Sequence, residues 1–244
     1  MQNKELYEED YVVDKYATNT TRVRSLNNAE KIFVDRFSIK NKKVLVVGCG
    51  AGRVPANLLL YGNTVVGIDR SVKMINEAKN NFPTEKFTAL SFMVGDATDL
   101  SMVENESYDV VFLPMNTIDY VENYSLREKA LKEAVKKLKK GGTLAFSSHN
   151  KLAYFFSPKV QMRNRTLKSF FGKFGYFTES VVGGGVIFKG NPKFIISETE
   201  MFTQCKYIGH TTDCRTKIDK LFNKSLFASK LYFPYLLYVF KKEV

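Results

Sequence analysis

The sequence predicts an α/β chain folded as a doubly wound, mostly parallel sheet, and three observations predict it. Val44, Leu45, Val46 and Val47 form an unbroken apolar run, the pattern of a strand covered on both faces. That run leads directly into Gly48, Gly50 and Gly52 and then into residues 55–60, which read as a helix with Pro55 near its start. The unit of strand, tight turn and helix then recurs with short connections, as right-handed crossovers between parallel strands require.

Taken in order, residues 1–20 are polar and acidic and carry Tyr7, Tyr11 and Tyr16. Residues 5–16 read as a short helix or as a frayed terminus. Residues 27–37 read as a helix, with Ala29, Ile32, Phe33 and Phe37 at helical spacing. The second strand, residues 64–69, ends in Asp69, and Ser71 is the expected N-cap of a helix over 72–81. Pro83 stops that helix. A third strand leads through Gly95 into Asp96 and Ala97, and a fourth, residues 108–113, into Pro114, Met115 and Asn116. Residues 125–140 form the clearest amphipathic pattern, with Leu126, Ala130, Leu131, Ala134, Val135 and Leu138 on one stripe. Gly141 and Gly142 are expected to end this helix, and a fifth strand begins at Thr143.

Residues 151–193 break the rhythm. They hold eight Lys/Arg against Glu179 alone, with three glycines at 183–185 and an expected hairpin of 180–182 against 186–189. A long insert at the carboxyl edge of a sheet is a usual place for an acceptor pocket, and it reads as a substrate-binding cap. A helix over 197–204 follows, with Ser197 and Glu200 as its capping box. Residues 205–211 and 236–240 read as the last two strands. The whole chain, 1–244, is expected to be one domain.

A strand, a glycine turn and a helix N-terminus direct backbone donors at a ligand. A dinucleotide site requires G-x-G-x-x-G, which would place a glycine at position 53; Arg53 stands there, and the glycines fall as G-x-G-x-G. This pattern, with the acids Asp69 and Asp96 closing the next two strands and the segment 108–116 as a fourth motif, resembles the class I S-adenosylmethionine (SAM) dependent methyltransferases of small-molecule type. The resemblance covers residues 42–150. It implies a seven-stranded sheet whose last strand inserts antiparallel, with SAM as cofactor and S-adenosylhomocysteine as product. It also implies a cofactor site of Gly48, Cys49, Gly50, Gly52, Asp69, Arg70, Met74, Asp96, Ala97 and Met115. Asp69 would reach the ribose diol, for which a carboxylate's two acceptor oxygens are suited, and Asp96 the adenine amino group. Arg70 and Met74 would flank the adenine, the alternative for Met74 being core packing. Residues 1–40 would form an N-terminal helical lid, with Tyr16 and Arg22 as its contacts to the cofactor.

Composition narrows the partners. The formal net charge is +12. Residues 1–150 carry 21 Lys/Arg and 19 Asp/Glu, and residues 151–244 carry 16 and 6. The positive field therefore lies in the later part, which suits either a negatively charged acceptor or simple solubility. No apolar run reaches the ~20 residues of a membrane span, and residues 1–11 lack a signal-peptide core, so a cytoplasmic location is expected. Cys49, Cys205 and Cys214 match neither a disulfide framework nor a zinc pattern, and no metal is expected.

Methyl transfer from a sulfonium is an in-line displacement in which holding the reactants collinear is the enzyme's main task. A hydroxyl acceptor requires a base; an amine needs positioning only. His149, just beyond strand five, is the candidate base, the alternative being a loop histidine that orders the insert. Asn116 and Tyr120 are the companion candidates after strand four, beside Thr117 and Asp119. The segment Leu113-Pro114-Met115-Asn116 departs from the N/D-P-P-Y/F motif of enzymes that methylate amino groups of nucleic acids. The expected acceptor is a small, anionic molecule methylated on O or N, such as a phosphorylated or nucleotide-linked sugar or a cell-surface precursor. An RNA acceptor and a SAM-binding partner subunit without catalysis are the alternatives.

Overall fold

Strand β1 (Lys43–Val47) is the centre of the molecule, and four of its five residues are buried. Val44 and Val46 point into one core with Phe33, Val34, Leu58 and Ile75, while Leu45 and Val47 point into another with Leu131, Ala134 and Leu144. That two-sided burial is why the run is apolar throughout rather than alternating. In this computed structural model the described residues are 5, 7–22, 25–156, 173–178, 186–213, 225, 226, 229, 231 and 233–243.

Parallel strands flank β1 on both sides: β2 (Thr64–Asp69) and then β3 (Leu90–Val94) on one, β4 (Tyr108–Leu113) and β5 (Leu138–His149) on the other. Because the chain leaves β1 for β2 and later returns to pair β4 with β1, the sheet reverses direction beside β1, and a ligand crevice opens there at the carboxyl ends of the strands. Strand β9 (Tyr235–Lys242) inserts antiparallel between β5 and the edge strand β8 (Cys205–Thr211). The seven-stranded, mostly parallel sheet expected from the sequence is present.

The helices are α1 (Asp10–Arg22), α2 (Asn28–Arg36), α3 (Arg53–Leu59), α4 (Val72–Asn81), α5 (Tyr124–Lys137), α6 (Lys151–Phe156) and α7 (Pro192–Thr203). Ser71 caps α4 by accepting from the Met74 N–H at 3.1 Å, as expected. Asn27 and Glu30 form a full capping box on α2.

Several boundaries differ. The N-terminal helix runs from Asp10 to Arg22, later than the predicted 5–16. Helix α5 ends at Lys137 and the strand begins at Leu138, so Gly141 and Gly142 lie inside β5. An irregularity in the pairing with β4, between Tyr108 and Val110, absorbs the extra residues. Helix α7 starts five residues before the predicted Ser197, because Asn191 caps it and Pro192 occupies its first position. Strand β6 (Phe174–Thr178) pairs antiparallel with β7 (Val186–Gly190); residues 180–182, the predicted partner, lie outside the described residues. Among the described residues, no helix is long and apolar enough to cross a membrane.

Candidate active site

A cavity of about 500 Å³ opens at the carboxyl ends of β1, β2, β4 and β5. Of the residues singled out in the sequence, Tyr16, Gly48, Cys49, Gly50, Asp69, Arg70, Met74, Asp96, Ala97, Met115, Asn116, Tyr120 and His149 all line it. Gly52 does not. Its φ is +94°, and a Cβ there would lie 2.9 Å from Phe92 and 3.0 Å from Phe82, so it lets the turn pack against the sheet. The Arg22 side chain lies outside the described residues.

The glycine turn presents shape rather than donors. The N–H groups of Gly48 and Cys49 both donate to the Ile68 carbonyl, at 2.7 and 3.0 Å, and that of Gly52 to the Cys49 carbonyl. The Gly50 N–H donates to Asp69 Oδ2 at 2.8 Å. The expectation that these donors face a ligand is therefore corrected: closing the turn against β2 already uses them. Gly50, with φ +52°, has no protein atom within 4 Å of where a Cβ would stand. A side chain there would project into open space beside the cavity wall, which is how a glycine makes room for a ligand.

Asp69 does two things at once. Its Oδ1 accepts from the Ser71 N–H at 3.0 Å while Oδ2 holds Gly50. A carboxylate has about four acceptor positions, so capacity remains for hydroxyls. Burial pushes the Asp69 carboxyl above its ordinary range, against the opposing pull of the Ser71 and Gly50 N–H groups. Asp96 Oδ1 accepts from both the N–H and the hydroxyl of Thr98, each at 2.8 Å, which fixes the carboxylate at the cavity wall. Met74 belongs to both readings made for it: it is 2% exposed, packs with Val12, Val13 and Ala51, and lines the cavity. Arg70 pairs with Glu122 at 2.8 Å. The N-terminal segment lies against the cavity. Tyr7 and Tyr16 line it, the Tyr7 ring meets Tyr120 edge-on at 5.8 Å, and the Tyr7 carbonyl accepts from Ser71 Oγ.

His149 is the last residue of β5, and its side chain is 7% exposed. Nδ1 lies 2.8 Å from Asp119 Oδ2, within a 3-10 turn (Thr117–Tyr120) that follows β4. A buried carboxylate accepts, so Nδ1 carries a hydrogen, and in the neutral ring the lone pair is on Nε2. Nε2 in turn receives the Asn116 amide at 3.3 Å. Asp119 is fully buried and takes three further donors: the His149 N–H at 2.6 Å, Ser148 Oγ at 2.7 Å and Arg127 at 2.8 Å. Asn116 is held by its own backbone. It and Met115 both have left-handed φ, 60° and 52°, and its N–H donates to Ser147 Oγ at 2.6 Å. Non-glycine residues in that region carry a cost and persist where the surroundings enforce them, often at functional sites.

Sequence reasoning placed Asp119 beside the acceptor and missed its position behind His149. It also missed Tyr7, Arg53, Pro234 and Tyr235, which line the cavity. The antiparallel seventh strand could have found the last, since Tyr235 stands opposite His149 in the β5–β9 register. Residues 151–193 contribute no described residue to the cavity wall. Their described part packs behind it, with Phe188 and Phe174 stacked against each other and Phe174 against Tyr124.

Residues 45–146, which include most of β1, all of β2 to β4 and most of the cavity wall, match the family described as "Methyltransferase domain". Among curated proteins, the chain is 31% identical over 121 residues to a ubiquinone biosynthesis O-methyltransferase from Hydrogenovibrio crunogenus, covering 49% of this chain and 48% of the relative. It is 32% identical over 137 residues to the protein of that name from Pelagibacter ubique, 54% of each. The chain thus spans about half the length of the curated relatives it matches. Solved structures agree on the fold. An S-adenosylmethionine-dependent methyltransferase from Clostridium acetobutylicum superposes with TM-score 0.66 at 15% identity, over 97% of this chain and 100% of that one. The CcbJ methyltransferase from Streptomyces caelestis gives 0.64 at 15%, over 90% and 91%.

Proposed function

We propose that the chain is a SAM-dependent O-methyltransferase in which His149 is the general base. The observation that carries this reading is the aligned chain Asp119–His149–Asn116, whose last two members line the cavity. When bound, SAM supplies an electrophilic methyl group and a thioether leaving group. Asp69 at the end of β2, Asp96 just beyond β3 and Met74 on α4 are the residues suited to hold its ribose and adenine. His149 Nε2 takes the proton of the acceptor hydroxyl once that hydroxyl replaces the Asn116 amide as its hydrogen-bond donor. Asp119 keeps Nδ1–H oriented and stabilises the imidazolium, a division of labour in which the acid itself stays ionised. An amine acceptor would leave this buried pair without a task.

For the acceptor itself, the wall around His149 supports a small hydroxyl compound with an apolar or aromatic body. Tyr120, Tyr235, Pro234 and Met115 are there. The two cations in the described wall are committed, Arg53 to Glu30 at 2.8 Å through both terminal nitrogens and Arg70 to Glu122. The expectation of an anionic sugar drew on the excess of Lys and Arg over residues 151–244, 16 against 6 Asp/Glu. The curated relatives, O-methyltransferases by name, favour oxygen over nitrogen. Incubating enzyme and isotope-labelled SAM with parallel panels of phenols, of amines and of phosphorylated sugars tests this by mass spectrometry. Label in a phenolic ether supports the reading; label in an amine or a sugar phosphate alone contradicts it.

A further inference from the structure

Behind the Asp119–His149 pair lies a second charged layer. Arg127, on α5, is fully buried; its Nη1 lies 2.8 Å from Asp119 Oδ1 and 3.1 Å from the Ile118 carbonyl. Its guanidinium sits over the Phe188 ring, 4.1 Å from the centroid. On its other side, Nε is 3.5 Å from Oε1 of Glu198, on α7, and both side chains are wholly inaccessible. Two carboxyl groups thus face one guanidinium in a space closed to water, Asp119 hydrogen-bonded to it and Glu198 in charge contact only, and burial raises the Glu198 carboxyl against the pull of Arg127. Three tyrosines border it, Tyr124, Tyr176 and Tyr238, and burial pushes all three up, Tyr176 to about 12, so they stay neutral. Around His149 itself stand Tyr120 from the 3-10 turn and Tyr235 from β9; Lys151, two residues on in α6, is buried and pushed down by that burial.

A single Asp–Arg pair would already be neutral. The second carboxylate costs several kcal/mol to bury, and a glutamine would fill the same volume without that cost. We infer that Arg127 and Glu198 are positioning residues for the base: Arg127 fixes the Asp119 carboxylate beneath His149, and Glu198 keeps the cluster one charge short of neutrality until His149 receives the acceptor's proton. In a low-dielectric interior such charges titrate as a unit rather than singly. The inference rests on the base role of His149 for its consequence, though not for its physics.

The test is the titration of the histidine ring signals by NMR in the whole chain. The sequence has two histidines, and His210 is pushed down to about 4 by burial, so the two are separable. In Glu198→Gln the midpoint of the His149 signal should fall by about one pH unit, and the acid limb of the turnover profile should move the same way. Arg127→Lys keeps the charge but cannot span both carboxylates; its kcat should fall while KM for SAM holds. In the wild-type chain, the Glu198 carboxyl carbon should report an ionised group at pH 7. A protonated Glu198 there, or an unmoved His149 midpoint in Glu198→Gln, overturns the inference and leaves the cluster a packing feature. The ring signals need no acceptor. A shifted midpoint together with undiminished turnover in His149→Gln would sink the base reading while the charge coupling stands.

Discussion

Asp119 Oδ2 stands 2.8 Å from His149 Nδ1, although the two residues are 30 positions apart and belong to different elements. Parallel pairing of β4 with β5 brings them together, since Leu113 is in register with Phe146 and each chain then continues to the same edge. Asp119→Asn should lower kcat by about 100-fold or more, because the amide no longer selects the tautomer with its lone pair on Nε2. SAM affinity should be unchanged by calorimetry, as Asp119 is not among the wall residues. The variant should also lose about 3 kcal/mol of stability in urea, since Arg127 is left with Glu198 as its remaining countercharge.

Asp69→Ala should weaken SAM binding about tenfold or more. The proposed ribose contact goes, and so does the acceptor that holds the Gly50 and Ser71 N–H groups. Equal affinity in the variant and the wild type would refute the ribose contact.

Two glycine substitutions should separate folding from binding. At Gly48 an added Cβ would meet the Thr117 side chain at 2.3 Å, and φ is +75°, so Gly48→Ala should cost about 2 kcal/mol or more in unfolding experiments. At Gly50 the Cβ meets nothing. Gly50→Ala should therefore carry a conformational cost of roughly 1 kcal/mol and show its main effect as lost SAM affinity.

His210 provides a pH signature of stability. Its Nδ1 meets the Tyr207 hydroxyl at 2.7 Å and its Nε2 Ser229 Oγ at 3.0 Å, and burial lowers its pKa from 6.5 to about 4. The folded state favours the neutral ring. The stabilisation is thus complete above pH 6.5 and is lost as pH falls toward 4, where the unfolded chain binds the extra proton. The loss should amount to about 3 kcal/mol, and the difference in unfolding free energy between wild type and His210→Gln, followed from pH 7 to 4, should shrink by a similar amount.

Much of the frame was legible because its signals are local. The apolar run at β1, Ser71 at the head of α4 and the bounds of β8 each depend on neighbouring residues and appear where expected. The β5 start was misplaced because Gly141 and Gly142 resemble a helix stop, whereas pairing with β4 draws the strand back to Leu138. The α7 start was misplaced because Ser197 and Glu200 imitate a capping box, although Asn191-Pro192 is the stronger signal. Within the site, the wall residues at strand ends were legible, since each follows a strand at the carboxyl edge. The pairing of Asp119 with His149, and of Arg127 with two carboxylates, was not: those contacts exist only once the sheet and α7 are assembled.

The most direct measurement is calorimetric titration of the purified chain with SAM and with S-adenosylhomocysteine. Saturable one-to-one binding of both, weakened in Asp69→Ala and preserved in Asp119→Asn, is the expected result. Absence of heat with either compound, together with saturable uptake of a nicotinamide dinucleotide, would contradict the assignment of this cavity.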